Sequence, residues 1–353
     1  MENNVDRIFV YGMQSFACFP KEVSSLLCHC CCVRFIMIAL DRTGGVDWII
    51  LCPYAMDLFG LFNSFDFDFD FQNEIICKKI IMKVLFSEYE LVYTNNMLVC
   101  PVCKEPLSCE NHQFVCKNHH TFDQAKEGYV NLSLKQKKMT GDNPAMVRAR
   151  TAFLEKGYYD FLRDALKTII HELSALTLLD AGCGQGYYTK EFASCVNTVY
   201  GVDLSKAAIQ YAAKHDKKST YIVSSIYDCP FRNESFDLVT TIFTPDAKNE
   251  FYRLLKPGGY LIQVGPGPFH CFELKSILYE NAYLNPEPLH DRPGFTCIDI
   301  QNIKRVFLVK DLRSLLEMTP YRYRTKASDL DKIDSYSSLN VTFDFMIHVW
   351  RKS

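Results

Sequence analysis

The stretch Leu178-Leu-Asp-Ala-Gly-Cys-Gly-Gln-Gly186 runs from apolar residues into an acid and then into three glycines at alternate positions. It reads as a buried strand ending at Asp180, followed by a tight turn that opens a helix. Glycine suits such a turn because it accepts backbone conformations closed to other residues and lets a ligand approach the main chain. A dinucleotide fold spaces its glycines as GxGxxG, which requires glycine at 187; that position is Tyr187, so the nicotinamide fingerprint fails. Outward from the turn, helical and strand periodicities alternate. Phe153 to Leu173 has helical spacing, Thr177 to Asp180 is a strand, Tyr187 to Ala193 a helix and Thr198 to Val202 a strand. Lys206 to Lys214 is a helix, and Thr220 to Val223 and Phe236 to Phe243 are strands. Glu250 to Leu255 reads as a helix stopped by Lys256-Pro-Gly-Gly259, with a strand over Tyr260 to Val264. This alternation predicts an α/β fold whose mostly parallel sheet is covered on both faces. Asn340 to Trp350 alternates as one more strand, expected to pair antiparallel at or near a sheet edge.

A GxGxG turn preceded by an acid is the arrangement that S-adenosylmethionine sites use. That ligand brings no phosphate but a cationic sulfonium and an amino group, which an acid at the strand end, Asp180, helps to hold. Asp203 ends the next strand, Val199-Tyr-Gly-Val-Asp203, at the position from which a carboxylate accepts both ribose hydroxyls. Cys229-Pro-Phe231, Phe236-Asp237 and the Lys256 to Gly259 turn then follow in the order of one fold. The position five before Pro230, commonly an acid against adenine, is Ser225, so a hydroxyl or a backbone amide is expected there.

A second motif lies upstream. Cys100-x-x-Cys103, twelve residues, then Cys116-x-x-x-His120 supplies three thiolates and an imidazole, the Cys3His set of a closed tetrahedral zinc site. So small a segment has too little apolar surface to fold without the ion, and with four protein ligands the ion is structural. His119 is an alternative to His120, while Cys109 and His112 fit the spacing less well. A CxxC redox pair is the competing reading, but such a pair normally sits at a helix start beside a βαβ unit.

Charge is divided unevenly along the chain. Met1 to Asn96 holds 7 Lys+Arg against 12 Asp+Glu, leaving 32 against 29 for the remainder, so a polyanion partner belongs to the second part. The first 96 residues, with seven cysteines, eleven phenylalanines and the repeat Phe65-Asp-Phe-Asp-Phe-Asp-Phe71, sustain no period. They are expected to be a disordered extension, or leader sequence upstream of a start at Met97. The Cys31 to Cys52 stretch is broken by Arg34, Asp41, Arg42 and Asp47, so no membrane span is expected. With no secretory signal, the sixteen cysteines point to a reducing, cytoplasmic setting. A zinc-binding module over 97–133 is followed by a basic connector over 134–152 and the main domain over 153–353. Lys104, Lys117, Lys126, Lys135, Lys137, Lys138, Arg148 and Arg150 interleave with Phe114, Phe122 and Tyr129. Basic residues beside exposed aromatics suit a folded RNA loop, whereas a solvated helix face over a small core is the plainer alternative.

From Met97 onward the chain closely resembles the bacterial large-subunit rRNA guanine-N1 methyltransferases, the RlmA/RrmA group of class I S-adenosylmethionine-dependent enzymes. The residues that carry the resemblance are Cys100-Pro-x-Cys103, Cys116, His120, Phe122-Asp-x-Ala-Lys-Glu-Gly-Tyr-Val-Asn-Leu132, Leu179 to Thr189, Pro266-Gly-Pro268 with His270, and Met318-Thr-Pro320. The resemblance implies a Rossmann-like sheet preceded by the zinc module and methyl transfer to guanine N1 in a 23S rRNA hairpin. It implies zinc on Cys100, Cys103, Cys116 and His120, cofactor contacts from Tyr159, Gly184, Gln185 and His270, and a homodimer. With the glycine turn and the two strand-end acids, the expected cofactor set is Tyr159, Asp180, Gly182, Gly184, Gln185, Gly186, Asp203, Ser225 and His270. No residue is assigned as catalytic; Asp246, just after Thr244-Pro245 at the end of the Leu238 to Phe243 strand, is where the resemblance places substrate groups, and its plainer role is the N-cap of the next helix. The rival readings are a methyltransferase of tRNA or a small molecule, and an RNA-binding protein without catalysis.

Overall fold

The structure is a computed structural model and describes residues 8–12, 36–42, 45–51, 97–134, 141–286, 291–319, 321 and 325–353. The chain divides into two units, 1–91 and 92–353. In the first unit β1 (Ile8–Gly12), β2 (Ile36–Arg42) and β3 (Gly45–Leu51) form an antiparallel sheet in that order, within a segment whose sequence sustains no long period. The cysteine run at 28–32 and the Phe-Asp repeat lie outside the described residues.

The second unit opens with a small antiparallel sheet of β4 (Leu107–Glu110), β5 (Gln113–Cys116) and β6 (Thr121–Asp123), then β7 (Val130–Asn131). Helix α1 (Pro144–Leu154) starts on Asn143, whose Oδ1 accepts from the Ala145 and Met146 amides at 3.0 Å, with proline at the first helical position. Residues 155–159 separate it from α2 (Asp160–Leu173), so the continuous helical spacing over Phe153 to Leu173 is two helices. On α2 the buried residues Leu162, Leu166, Ile169 and Ile170 form one stripe against the sheet.

The core strands are β8 (Thr177–Ala181), β9 (Thr198–Asp203), β10 (Thr220–Val223), β11 (Phe236–Ile242) and β12 (Leu255–Pro266). All five residues of β8 are buried, as a strand covered on both faces requires. Between the strands run α3 (Thr189–Phe192), α4 (Lys206–His215) and α5 (Lys248–Leu254). After β12 come α6 (Phe272–Leu278), β13 (Phe295–Val309), α7 (Leu312–Met318) and β14 (Leu339–Lys352). The eight strands stand in the order β13-β14-β12-β11-β8-β9-β10-β7, parallel from β7 to β12, with β13 and β14 antiparallel.

The C-terminal strand pairs antiparallel near the sheet edge, as expected, one strand in from the edge strand β13. One expected boundary changes. Strand β12 begins at Leu255 and carries Lys256-Pro-Gly-Gly259 within it, with a register shift opposite. The zinc-bearing segment packs on the main sheet. Val130 and Asn131 pair with Ile222 and Val223 of β10, and Met97, Leu107 and Phe114 pack in one apolar cluster with Leu179, Val202 and Val239.

Strand order reverses between β8 and β11, which pair in parallel while their chain continuations leave in opposite directions. In open α/β sheets ligands bind beyond the strand ends at such a point.

Candidate active site and metal centre

The glycine turn sits at this reversal. Gly182, Gly184 and Gly186 all adopt positive φ, at 81°, 54° and 80°. A methyl group on Gly182 would stand 2.3 Å from Thr244 Oγ1, in the segment after β11, whereas one on Gly184 would meet only Arg150 Nη1 at 3.9 Å. The turn is therefore closed against the neighbouring strand end and open above Gly184. Asp203 braces it: its Oδ2 accepts from the Gly184 amide at 3.0 Å and its Oδ1 from the Ser205 amide at 2.7 Å. Burial raises the Asp203 pKa, with those two amides opposing.

Asp180 is 2% exposed, and its two oxygens accept from the hydroxyls of Thr189 at 2.6 Å and Thr240 at 2.9 Å. Burial pushes its carboxyl up to about 6. These two bonds tie β8 to α3 and β11. Beside it, Gln185 is 8% exposed and its Nε2 is a buried donor with no partner among the described residues.

Tyr159, in the bend before α2, and His270, after β12, meet over the sheet although 111 positions separate them. Their rings lie 6.5 Å apart, edge to face, in a cluster with Phe243, Phe343 and Phe345. Burial brings the His270 pKa down to about 4, so the imidazole is neutral at pH 7, and the Asp344 amide donates to its Nδ1 at 3.4 Å. Ser225 follows β10, and its Oγ accepts from the Tyr227 amide at 3.2 Å.

Two residues near these depart from expectation. Asp246 does not cap α5: the cap position is Ala247, without a side-chain bond. Both Asp246 oxygens are instead held by the Arg292 guanidinium, at 2.6 and 3.0 Å. Phe243 adopts a positive φ of 54° and leaves 43% of its surface exposed. The strand-end sequence Phe243-Thr-Pro-Asp246 was the available signal for both; Arg292, 46 positions away from Asp246, had none.

The thiols of Cys100, Cys103 and Cys116 and the His120 ring converge with all ligand atoms within 4.8 Å of one another. Cys103 and Cys116 sulfurs are 3.7 Å apart, and His120 Nδ1 is 3.6 Å from Cys100 Sγ and 3.4 Å from Cys116 Sγ. A tetrahedral zinc with sulfur ligands at about 2.3 Å needs edges of roughly 3.8 Å, so the donor set fits the ion. Burial raises the Cys103 thiol, but the Glu105 amide, Asn118 and His120 outweigh it and bring the value down to about 6, favouring thiolate. His119 turns away on a left-handed backbone, φ 60°, and Cys109 is exposed.

The RNA-facing expectation for the aromatics is corrected. Phe114 and Tyr129 are 8% and 5% exposed and belong to the core, and Phe122 is half-buried against it. Lys104 pairs with Asp228, Lys117 with Glu105 and Arg150 with Asp142. Lys135, Lys137 and Lys138 lie outside the described residues. Among the described residues no helix is long and apolar enough to cross a membrane.

Comparison with known proteins agrees with both halves of this site. A family model described as "Methyltransferase domain" matches residues 179–263, and one described as "RlmA, N-terminal" matches residues 98–140. The Bacillus subtilis protein named "Putative 23S rRNA (guanine-N(1)-)-methyltransferase YxjB" is 30% identical over 283 residues, covering 73% of this chain and 98% of its own. The 23S rRNA (guanine(748)-N(1))-methyltransferase of Streptomyces fradiae is 32% identical over 188 residues, 51% of this chain and 67% of its own. A malonyl-[acyl-carrier protein] O-methyltransferase of Erwinia pyrifoliae is 31% identical over 96 residues, covering only 25% of this chain and 37% of its own. The shared methyltransferase segment is thus common to proteins named for different acceptors, while the Bacillus subtilis match extends well beyond that segment. The chain belongs to the family of RlmA-type 23S rRNA (guanine-N1)-methyltransferases.

Proposed function

We propose that this protein transfers a methyl group from S-adenosylmethionine to N1 of a guanine in a hairpin loop of large-subunit rRNA. The observation that carries this reading is one continuous core joining the Cys3His centre to the open glycine turn. The acceptor follows from the long relatives named for guanine N1. The cofactor, when bound, would supply the methyl group on its sulfonium: the S–CH3 bond breaks, the neutral thioether leaves without needing an acid, and the guanine N1 proton is released to solvent.

The chain's own residues align and desolvate. Gly182, Gly184 and Gly186 shape a main-chain cradle, and Asp203 offers its remaining lone pairs to the ribose hydroxyls. Gln185 Nε2 finds its missing acceptor on the cofactor. Ser225 faces the adenine end, and Tyr159 and the neutral His270 wall the site without adding charge near the sulfonium. Asp180 acts through Thr189 and Thr240 to fix the turn. Cys100, Cys103, Cys116 and His120 hold a structural zinc ion. Exposed Lys126 and Arg148, with the connector, are the cations left for rRNA phosphates. We place the enzyme in the cytoplasm, as a homodimer.

The test uses the purified chain, labelled cofactor and unmodified 23S rRNA. N1 methylation blocks base pairing, so reverse transcription should stop at one hairpin guanine. Cofactor binding without such a stop overturns the rRNA reading and favours a tRNA or small-molecule acceptor. Sedimentation at a single-subunit mass overturns the dimer.

A further inference from the structure

We propose that the turn Phe243-Thr244-Pro245-Asp246 receives the target guanine, with the base stacked on the Phe243 ring and its exocyclic N2 amino group bound by the Asp246 carboxylate. This inference rests on guanine N1 as the acceptor and names the residues that read the base.

The turn leaves β11 at the point of strand-order reversal, and Thr244 abuts Gly182 of the glycine turn. It is therefore beside the cofactor cradle, where a base must lie for transfer. The segment is held firmly: the Phe243 amide donates to Val264 O at 3.0 Å, and Thr244 Oγ1 donates to Ile242 O at 3.1 Å.

Phe243 is unusual on two independent grounds. A large aromatic residue in the left-handed region is strained, and such strain persists where the surroundings over-determine it, commonly at ligand sites. Its ring is also 43% exposed while its neighbours Tyr159, His270 and Phe345 are buried, with His270 stacked on it at 6.2 Å and 26°. The aromatic cluster thus ends in one exposed ring at the strand edge. A guanine taken out of a hairpin stack loses its neighbours, and an exposed ring beside the cofactor replaces them.

Asp246 is fixed from below. Arg292, whose side chain is 5% exposed, grips both carboxylate oxygens, reaches Gln263 Oε1 at 3.3 Å and lies over the Phe295 ring at 5.0 Å. The Asp246 side chain remains 41% exposed, and each oxygen keeps a lone pair for an outside donor. A carboxylate on N1–H would stand where the methyl group arrives. On N2 it leaves N1 clear, and it rejects adenine, which has no donor at C2. Arg292 is a positioning residue here.

The experiment uses the full chain and a 23S hairpin transcript containing the guanine that the wild type methylates. If the wild type methylates no guanine, the functional reading falls before this one is reached. Phe243→Ala is expected to lower kcat/KM about 10-fold or more, with Phe243→Tyr near wild type and cofactor affinity changed less than about 3-fold. An unchanged kcat/KM, or an equal loss in cofactor affinity, overturns the stacking role. For Asp246, the target guanosine is replaced by inosine, which lacks only the N2 amino group. Inosine should cost the wild type about 10-fold and cost Asp246→Ala less than about 2-fold. An equal inosine penalty in both proteins overturns the assignment. Arg292→Lys should recover part of the kcat that Arg292→Ala loses, without changing cofactor affinity; no difference between the two removes the positioning role.

Discussion

Alanine at Gly182 tests how tightly the glycine turn is built against β11. Its added methyl would lie 2.3 Å from Thr244 Oγ1, 2.5 Å from Cγ2 and 2.9 Å from Cβ, on a backbone with φ 81°. The left-handed conformation costs a non-glycine residue about 1–2 kcal/mol. Overpacking adds about 1–3 kcal/mol, because Thr244 can yield only by breaking its bond to Ile242 O. The expected loss is thus about 2–5 kcal/mol. Gly265→Ala is the control, since its added methyl meets nothing within 4 Å, and it should change stability by less than about 1 kcal/mol. Thr244→Ala removes the two nearest atoms but not the backbone strain. The double variant Gly182→Ala, Thr244→Ala should therefore recover about 1–2 kcal/mol relative to additivity. Urea unfolding followed by Trp350 fluorescence, in a Trp48→Phe background, reads the second unit, where Trp350 is 2% exposed. The reasoning is refuted if Gly182→Ala costs no more than Gly265→Ala, or if the double variant is additive.

Removal of zinc should act beyond the ribbon, because Cys100 and Cys116 share an apolar cluster with Leu179 and Val239. Cys100→Ser should lose the metal and lower the melting temperature of the second unit; metal loss with an unchanged melt contradicts the shared core. The Asp180 carboxyl titrates near 6 when folded against 3.8, so stability is fully present below about pH 4 and declines as pH rises through 6. Asp180→Asn should therefore gain about 2–3 kcal/mol on the wild type between pH 4 and 7, and parallel pH curves for the two proteins would contradict this. His270 has the opposite sign. Its folded pKa of about 4 lies below 6.5, so its contribution is present above pH 6.5 and lost as pH falls toward 4, a slope that His270→Phe should flatten.

Local chemistry made much of this protein legible in its sequence. Glycines at alternate positions after an apolar run have few backbone solutions, so the turn at 182–186 and the strand before it followed directly. CxxC and CxxxH spacings bring ligands together within a few residues of chain, and the four zinc ligands converge as their spacing predicts. Edge strand β13 escaped because its half-buried positions alternate with the exposed apolar residues Ile298, Ile300, Val306 and Leu308, so apolar side chains on both faces hide the period in the sequence. The aromatics of the ribbon looked available to RNA because sequence does not tell which face meets a neighbour; packing on β8 and β11 buried Phe114.

What only the tertiary structure decided are the contacts between residues distant in the chain. Sequence left Asp246 between a substrate-side residue and, more plainly, a helix cap; Arg292 arrives from 46 positions away and holds its carboxylate at the strand end, off the cap position. It suggested Tyr159 and His270 only by resemblance, whereas the fold puts their rings in one aromatic wall beside the strained Phe243. Backbone preference and ligand spacing act over a few residues, so sequence determined the turn, the strands and the zinc set. Which side chains face one another across the sheet edge depends on strand order, and that is fixed by burying all the apolar faces together.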